Sequence, residues 1–236
     1  MGPQNLPEQL RSVRNRIETA AHAAGRNVDS VTLLAAGKAQ PANTLRAAAA
    51  LGLRHFGESY VQEALEKMET LRDQPLTWHF IGRLQANKTR PVASSFDWVH
   101  GVDRLKIAQR LSEQRPFHAP PLNVCLEVNI AGESSKGGIT TTELPALAAA
   151  VASLPRLKLR GLMCIPPDEE DPSRQRAWFA GMRQQLEALN AAGADLDTLS
   201  MGMSGDLESA ILEGATIVRV GTALFGPRLT GSQAGR

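Results

Sequence analysis

A lysine at the end of an apolar segment is the residue of this chain whose type and position most favour chemistry. Residues 31–38 read VTLLAAGK, which predicts a buried strand that ends at Lys38. Alternate residues of a strand lie on the same face, so Lys38 shares its face with Leu34 and Ala36. Burial lowers the pKa of a lysine, and a neutral amine can attack an aldehyde to form a Schiff base. The alternative is a strand-end lysine whose ammonium group reaches water.

A second feature is the segment SMGMSGDLESAI at residues 200–211, where a predicted strand ends in small residues before a helix. The backbone N–H groups of Ser204 and Gly205 would be free at that helix start, which is the geometry of a phosphate site. A plain N-cap role explains Ser204 equally well. The next predicted strand runs into VRVGTALFGPR, whose Gly221 and Thr222 can add a close backbone approach and a hydroxyl donor.

Arg219 is the third feature, because a guanidinium stands between Val218 and Val220 on a predicted strand. A buried charge needs a partner. As a structural residue, Arg219 could pair with Glu127 on the fifth predicted strand. As a functional residue, it could donate to a ring nitrogen of a ligand, since arginine stays charged and offers only donors.

Together these features provide an amine, an anion site and a buried donor. Pyridoxal 5′-phosphate suits them, because it carries an aldehyde, a phosphate and a pyridine nitrogen. The predicted contacts are Lys38 to the aldehyde, Arg219 to the pyridine nitrogen, and Ser204, Gly205, Gly221 and Thr222 to the phosphate. A Schiff-base aldolase acting on a phosphosugar would also use the lysine and the anion site, but it would leave the arginine without a ring nitrogen.

Short apolar segments alternate with helical segments along the chain, and this pattern predicts the elements that must position these residues. The eight predicted strands cover residues 31–38, 54–59, 77–82, 97–102, 122–130, 157–165, 197–203 and 216–226. An amphipathic helix at about 6–24 precedes them, and the predicted helices that follow seven of them cover residues 42–51, 60–72, 88–95, 104–114, 141–153, 172–192 and 206–213. The pattern predicts an α/β fold, a single (β/α)8 TIM barrel in one domain of residues 1–236, with the barrel at about 31–226 and a short C-terminal tail.

The active site of such a barrel lies at the carboxyl ends of its strands, and the loops after strands seven and eight frequently bind phosphate. All three features fall at or near such ends. Several segments are apolar on both faces, as expected for strands that line a barrel and also contact helices. An open doubly wound sheet is the competing fold, but it would normally carry a GxGxxG turn after its first strand, where this chain has GKAQP.

Composition excludes several classes of function. Lys and Arg total 26 and Asp and Glu total 24, so the net charge of +2 argues against nucleic acid and anionic membranes as partners. We expect neither a signal peptide nor a membrane span, because the apolar runs are too short. Cys125 and Cys164 lie in apolar segments, which predicts buried free thiols in a reducing cytoplasm. The histidines and cysteines show no metal-ligand spacing, so we expect no metal site. We also expect a monomer.

Seven motifs in order resemble the YggS/PROSC family, the pyridoxal phosphate homeostasis proteins. They are LLAAGKAQP, HFGESYVQEA, WHFIGRLQANK, VNIAGESSKGGI, GLMCIPP, SMGMSGDLESAI and VRVGTALFGPR, and the resemblance runs from about residue 6 to 228. It implies the fold of the barrel domain of alanine racemase, pyridoxal phosphate carried on a lysine that corresponds to Lys38, and no established catalytic turnover. It also implies a role in vitamin B6 homeostasis, with pyridoxal phosphate-dependent apoenzymes as partners.

This chain departs from the family pattern at two places. The family usually has SKTKP where this chain has Gly37 before the lysine, and GENYVQE where this chain has Ser59. The loss of the asparagine amide at Ser59 removes a potential cofactor contact. His79 in WHFIG matches the pattern, and we interpret it as a buried, hydrogen-bonded histidine. Lys136 in SSKGG also matches, and we interpret it as a solvated loop lysine.

A racemase or decarboxylase is the alternative function. It needs a second acid or base on the face of the ligand opposite the lysine, and in racemases an extra domain of the partner subunit supplies that group. Few residues follow Gly226, and the sole tyrosine, Tyr60, is predicted at the start of the second helix. We therefore expect a cofactor carrier and not an enzyme.

Overall fold

Eight parallel strands form a closed barrel in the computed structural model, which describes residues 5–133 and 137–226. The strands are β1 (Thr32–Ala36), β2 (His55–Glu58), β3 (Thr77–Phe80), β4 (Trp98–Val102), β5 (Leu122–Glu127), β6 (Leu157–Met163), β7 (Thr198–Ser200) and β8 (Ile217–Val220). Each strand pairs with the next in the chain, and β8 pairs with β1 to close the ring. The predicted (β/α)8 barrel is confirmed, and the open sheet is wrong.

Helices follow the strands and cover the outside of the barrel. They are α1 (Leu6–Ala23), α2 (Ala42–Ala50), α3 (Val61–Thr70), α4 (Thr89–Ser95), α5 (Leu105–Gln114), α6 (Leu144–Ala152), α7 (Pro172–Ala191), α8 (Leu207–Leu212) and α9 (Thr222–Phe225). The predicted N-terminal helix is α1, whose Leu10, Val13 and Ile17 are buried at helical spacing. It packs against α8 and α9, so it lies beside the loops that follow β7 and β8.

Several predicted boundaries differ from the structure, among them the end of the eighth strand and the start of the sixth helix. The eighth apolar segment was expected to extend to Gly226 as a strand, but β8 ends at Val220 and the residues after Gly221 form the short helix α9. The sixth helix begins at Leu144 and not at residue 141, and residues 141–143 before it form a turn in which the Thr140 and Glu143 side chains bond each other and each other's backbone N–H groups. The predicted C-terminal tail and Lys136 lie outside the described residues.

The space between strands and helices is filled by apolar side chains. Phe80 and Phe96 meet edge to face there, with ring centroids 5.5 Å apart. Cys125 and Cys164 are buried free thiols, as predicted, and burial raises the pKa of both to about 12. Among the described residues, no helix combines the length and the apolar character that crossing a bilayer requires.

Candidate functional site

The carboxyl ends of the strands open on a cavity of about 390 Å³. Its lining includes all six of the predicted site residues, namely Lys38, Ser204, Gly205, Arg219, Gly221 and Thr222. They meet because barrel closure places β1 beside β8, in a register that pairs Leu34 with Arg219. A cavity of this size falls within the range of small-molecule sites, about 300–1,000 Å³. We call it the mouth cavity.

Lys38 stands on a tight turn at the end of β1. The Gln40 N–H donates to the Gly37 carbonyl at 2.9 Å and closes this turn, and Ala39 takes a left-handed backbone with φ of 61°. The half-buried lysine places its Nζ 4.8 Å from the centroid of the Tyr60 ring. A cation over an aromatic face is attracted by the electrons of the ring, so this contact holds the amine beside Tyr60.

A buried charge network that the sequence analysis missed anchors this turn. The Lys67 ammonium donates to the Gly37 carbonyl at 2.7 Å, to Glu58 Oε1 at 2.8 Å and to Glu63 Oε1 at 2.6 Å. Glu63 Oε1 in turn accepts the Ala39 N–H at 2.8 Å. The peptide groups on both sides of Lys38 are therefore fixed by charged partners, which make stronger hydrogen bonds than neutral ones.

Burial opposes the charge of Glu58. The residue is fully buried, and burial raises the pKa of its carboxyl to about 7 despite the nearby Lys67 ammonium, which lowers it. Glu58 Oε2 has no hydrogen-bond partner within the described residues. A Cβ at position 37 would lie 2.6 Å from Glu58 Oε1, so the glycine there leaves room for the carboxylate.

Protein stability is expected to fall as the pH rises through the titration of Glu58. The folded-state pKa of about 7 exceeds the ordinary value of 4.5, so the native state binds the proton more tightly than the unfolded chain does. The stabilisation is complete below pH 4.5 and is lost as the pH approaches 7. Urea denaturation of the wild type and of Glu58→Gln, at pH values from about 5 to about 8, measures the difference. Parallel stability curves for the two proteins would contradict this assignment.

The loop after β7 presents two free backbone donors. Within the described residues, the N–H groups of Ser204 and Gly205 donate no hydrogen bond. The Asp206 carboxylate closes the loop by accepting the Met203 N–H at 2.6 Å, and α8 begins directly after it. A Cβ at Gly205 would meet no atom within 4 Å, so this part of the loop faces open space.

Ser204 joins the loop after β7 to the helix after β8. Its Oγ accepts the Ala223 N–H at 3.2 Å, whereas the N-cap position of α8 belongs to Asp206. The interpretation of Ser204 as the N-cap of α8 is therefore wrong. Helix α1 holds the same loop from outside, since Arg16 donates to the Ser204 carbonyl at 3.0 Å and pairs with Glu208.

Arg219 is buried at the inner side of the mouth cavity, with 5% of its surface exposed. Its Nη1 donates to the Ser200 carbonyl at 2.6 Å and to Ser200 Oγ at 2.8 Å, and its Nη2 donates to the Cys164 carbonyl at 2.9 Å. Arg219 and Glu127 are both among the described residues and form no ion pair, so the structural alternative from the sequence is wrong. A guanidinium has five N–H groups, so the Nε–H and one Nη2–H remain for a ligand.

The residues that the sequence analysis missed are polar partners of the predicted ones. Glu63 and Lys67 have the i,i+4 spacing of an ordinary solvated helix pair, so spacing alone does not distinguish them. Glu58 carried a usable signal, because it is a charge at the end of a strand, directly after Phe56 and Gly57. Ser59 lines the mouth cavity as expected from its position in the second motif. His79 is buried and bonded to two other histidines, which confirms its interpretation.

Residues 9–228 match the family model described as the N-terminal domain of alanine racemase. The chain is 59% identical to the pyridoxal phosphate homeostasis protein of Pseudomonas aeruginosa over 229 residues, which cover 97% of this chain and 98% of that protein. The structure of PipY from Synechococcus elongatus with pyridoxal phosphate bound superposes with a TM-score of 0.83 at 38% identity, covering 94% of this chain and all of PipY. Alanine racemase of Clostridium difficile shares the fold, with a TM-score of 0.75 at 15% identity over 98% of this chain and 59% of the racemase.

Proposed function

The chain belongs to the family of pyridoxal phosphate homeostasis proteins, built on the barrel of the alanine racemase N-terminal domain, and we propose that it binds pyridoxal 5′-phosphate reversibly through a Schiff base with Lys38. The observation that carries this proposal is the mouth cavity, where an amine, free backbone donors and a buried guanidinium line the same space. We further propose that it holds the cofactor as a reserve for other proteins and does not turn over a substrate.

The donor set of the mouth cavity fits each part of this cofactor. When bound, pyridoxal 5′-phosphate supplies an aldehyde that can condense with an amine, releasing water, and a pyridine ring that withdraws electrons. Lys38 would provide the amine, and Arg219 would donate one of its two remaining N–H groups to the ring nitrogen. The loops after β7 and β8 hold the phosphate with Ser204, Gly205, Gly221 and Thr222. The open space at Gly205 and the free N–H groups beside it support this assignment.

Borohydride reduction of the purified protein tests covalent binding. Reduction converts a Schiff base to a stable secondary amine, so the modified lysine can be found by peptide mass analysis. We expect the label on Lys38, together with a visible absorption band before reduction and its loss afterwards. A label confined to Lys88 or Lys136, or labelling spread over many surface lysines, would overturn the assignment.

Ser204→Ala is expected to weaken binding of pyridoxal 5′-phosphate by about ten- to a hundredfold. The substitution removes a hydroxyl donor to a charged acceptor, which contributes about 1.5–3 kcal/mol. Unphosphorylated pyridoxal should bind wild type and variant alike, because it lacks the group that the hydroxyl contacts. Titration of both ligands, followed by absorbance, measures the two affinities. An equal loss of affinity for both ligands would mean that this loop does not bind the phosphate.

The alternative function is a racemase. Among the described residues that line the mouth cavity, Lys38 and Arg219 are the titratable ones, and an arginine that stays protonated cannot serve as a base. Tyr60 lies against the lysine and is 54% exposed, so it occupies the lysine's own side. Racemisation needs proton transfer on two opposite faces. This lining supports carriage of the cofactor over turnover.

We therefore expect no enzymatic racemisation or decarboxylation by the holoprotein. The test incubates it with L-alanine and a panel of other L-amino acids in deuterated water and follows α-proton exchange and optical purity. Slow exchange without multiple turnovers agrees with the carrier function. Multiple turnovers that disappear in Lys38→Ala would establish the enzyme instead.

The proposed partners are pyridoxal phosphate-dependent apoenzymes. A Schiff base is hydrolysed reversibly by water, which regenerates the lysine amine and the aldehyde, so a carrier can release its cofactor without a reactant other than water. The two buried free thiols suit a reducing cytoplasm, and we propose that the chain acts there as a monomer. Mixing the holoprotein with an apoenzyme and following the recovery of enzyme activity tests the transfer, with free pyridoxal 5′-phosphate at the same total concentration as the comparison.

A further inference from the structure

A column of polar side chains runs through the interior of the barrel and ends at Arg219. His55 Nδ1 lies 3.0 Å from His79 Nε2, and His79 Nδ1 lies 2.9 Å from His100 Nε2. His100 Nδ1 lies 2.7 Å from Ser200 Oγ, which accepts from Arg219 Nη1 at 2.8 Å. The contacts join β2, β3 and β4 to β7 and β8, and the step from β4 to β7 crosses the barrel. We call His55, His79 and His100 the histidine column.

The chemistry of the end group gives this chain of hydrogen bonds one direction. Arg219 can only donate, so Ser200 Oγ must accept from it. If His100 Nδ1 also carried a proton and donated to Ser200, the buried hydroxyl proton would have no acceptor within the described residues. An orphaned buried donor is unfavourable, so the hydroxyl donates to His100 Nδ1.

The same reasoning extends along the column. A neutral His100 with a free Nδ1 carries its proton on Nε2 and donates to His79 Nδ1, and His79 then donates from Nε2 to His55 Nδ1. His55 is half-buried and lines a second cavity at the amino-terminal end of the barrel, where water can accept its Nε2 proton. Every link is satisfied in this one arrangement.

The surroundings keep the column neutral. Burial lowers the pKa of His79 well below its ordinary value, and the neighbouring His100 and His55 lower it further. Burial and the Arg219 charge lower the pKa of His100 to about 3. The ring nitrogens face one another in pairs and do not converge on one point, and no group of three metal-ligating side chains occurs among the described residues.

We propose that Ser200 and His100 are positioning residues for Arg219, with His79 and His55 fixing the tautomer of His100. Because His100 Nδ1 accepts the hydrogen bond of the Ser200 hydroxyl, a lone pair of Ser200 Oγ stays directed at the guanidinium. Together with the Ser200 and Cys164 carbonyls, this acceptor holds three of the guanidinium donors on the inner side and leaves the other two for the mouth cavity. The effect on the cofactor rests on the proposed function, whereas the direction of the hydrogen bonds does not.

Nitrogen NMR of the protein without added ligand tests the direction of the column. Long-range proton–nitrogen spectra distinguish the two neutral tautomers and the imidazolium form, and we expect His79 and His100 as neutral Nε2–H tautomers near neutral pH. A proton on His100 Nδ1, or an imidazolium at either residue, would overturn the proposal. This result does not depend on whether the protein binds pyridoxal 5′-phosphate.

Variants of His100 test its effect on Arg219. His100→Asn retains an acceptor at the position of Nδ1, whereas His100→Leu does not. We expect His100→Leu to weaken pyridoxal 5′-phosphate binding by about tenfold and to shift its absorption maximum, and His100→Asn to restore both. His22→Leu replaces an exposed histidine on α1 and is the matched control. Equal behaviour of His100→Leu and His100→Asn in folded proteins would reduce the column to a structural role and overturn the proposal.

Ser200→Ala keeps the test decisive if His100→Leu does not fold. It removes the hydroxyl but retains the carbonyl that accepts from Arg219. We expect the same shift of the absorption maximum, with recovery in Ser200→Thr, which restores the hydroxyl. An unchanged absorption maximum and affinity in Ser200→Ala would overturn the proposal. Failure of the wild type to bind pyridoxal 5′-phosphate would instead contradict the proposed function, with the NMR result unaffected.

Discussion

Lys38→Ala is expected to abolish covalent binding of pyridoxal 5′-phosphate and to leave the barrel folded. Alanine has no amine to condense with the aldehyde, so the visible absorption band and the product of borohydride reduction should both disappear. The lysine is half-buried, and its contact with Tyr60 contributes only about 0.5–1 kcal/mol to folding. Absorbance, peptide mass analysis and circular dichroism of the variant measure the three quantities.

Two further variants separate the amine from the charge. Lys38→Arg retains a cation beside Tyr60 but offers no amine that forms a Schiff base under these conditions, so it should also lose the covalent product. Lys88→Ala removes a lysine from an adjoining cavity, which shares Lys38 and Ser59 with the mouth cavity, and it should retain the product in full. A full absorption band in Lys38→Ala would mean that a lysine other than Lys38 forms the Schiff base.

Lys67→Met is expected to lower the free energy of unfolding by about 3 kcal/mol, because it leaves buried acceptors without their charged donor. Lys67 is 5% exposed, and its ammonium bonds the Gly37 carbonyl, Glu58 and Glu63. Methionine matches the length of the side chain but donates no hydrogen bond. Urea denaturation at about pH 8, where Glu58 is ionised in the wild type, measures the loss.

A second substitution distinguishes the lost charge from lost packing. Glu58→Gln in the Lys67→Met background removes the unpaired carboxylate and should recover part of the stability. Lys106→Met changes an exposed lysine on α5 and should alter stability by less than about 0.5 kcal/mol. A loss in Lys67→Met no larger than in Lys106→Met would mean that the network does not stabilise the turn that carries Lys38.

The fold and the position of Lys38 at the mouth of the barrel followed from local sequence patterns. Eight apolar segments alternate with helices and several are apolar on both faces, and the absence of a GxGxxG turn after the first segment favoured the closed barrel over an open sheet. The direction of the parallel strands then put Lys38 and the two small-residue loops at the same end. Chain order alone therefore predicted which residues line the mouth cavity.

Local patterns were less informative where strands stop. The segment after β8 is as apolar as a strand, yet Thr222–Phe225 form a helical turn because barrel pairing ends at Val220. Ser204 resembled the N-cap of its own helix, but its hydroxyl is used by the helix that follows the next strand. The local sequence around Ser204 is the same whether its hydroxyl caps α8 or bonds a residue after the next strand, so sequence alone could not distinguish these two roles.

Only the tertiary structure revealed which polar groups hold the site together. Lys67 bonds the Gly37 carbonyl across 30 positions of sequence, and His100 bonds Ser200 across 100. Such contacts depend on strand register and on closure of the ring, neither of which leaves a periodic signal in the chain. Hydrophobic periodicity determines which face of an element is buried, but a buried polar side chain is defined by the one partner that satisfies it, and that partner is decided in three dimensions.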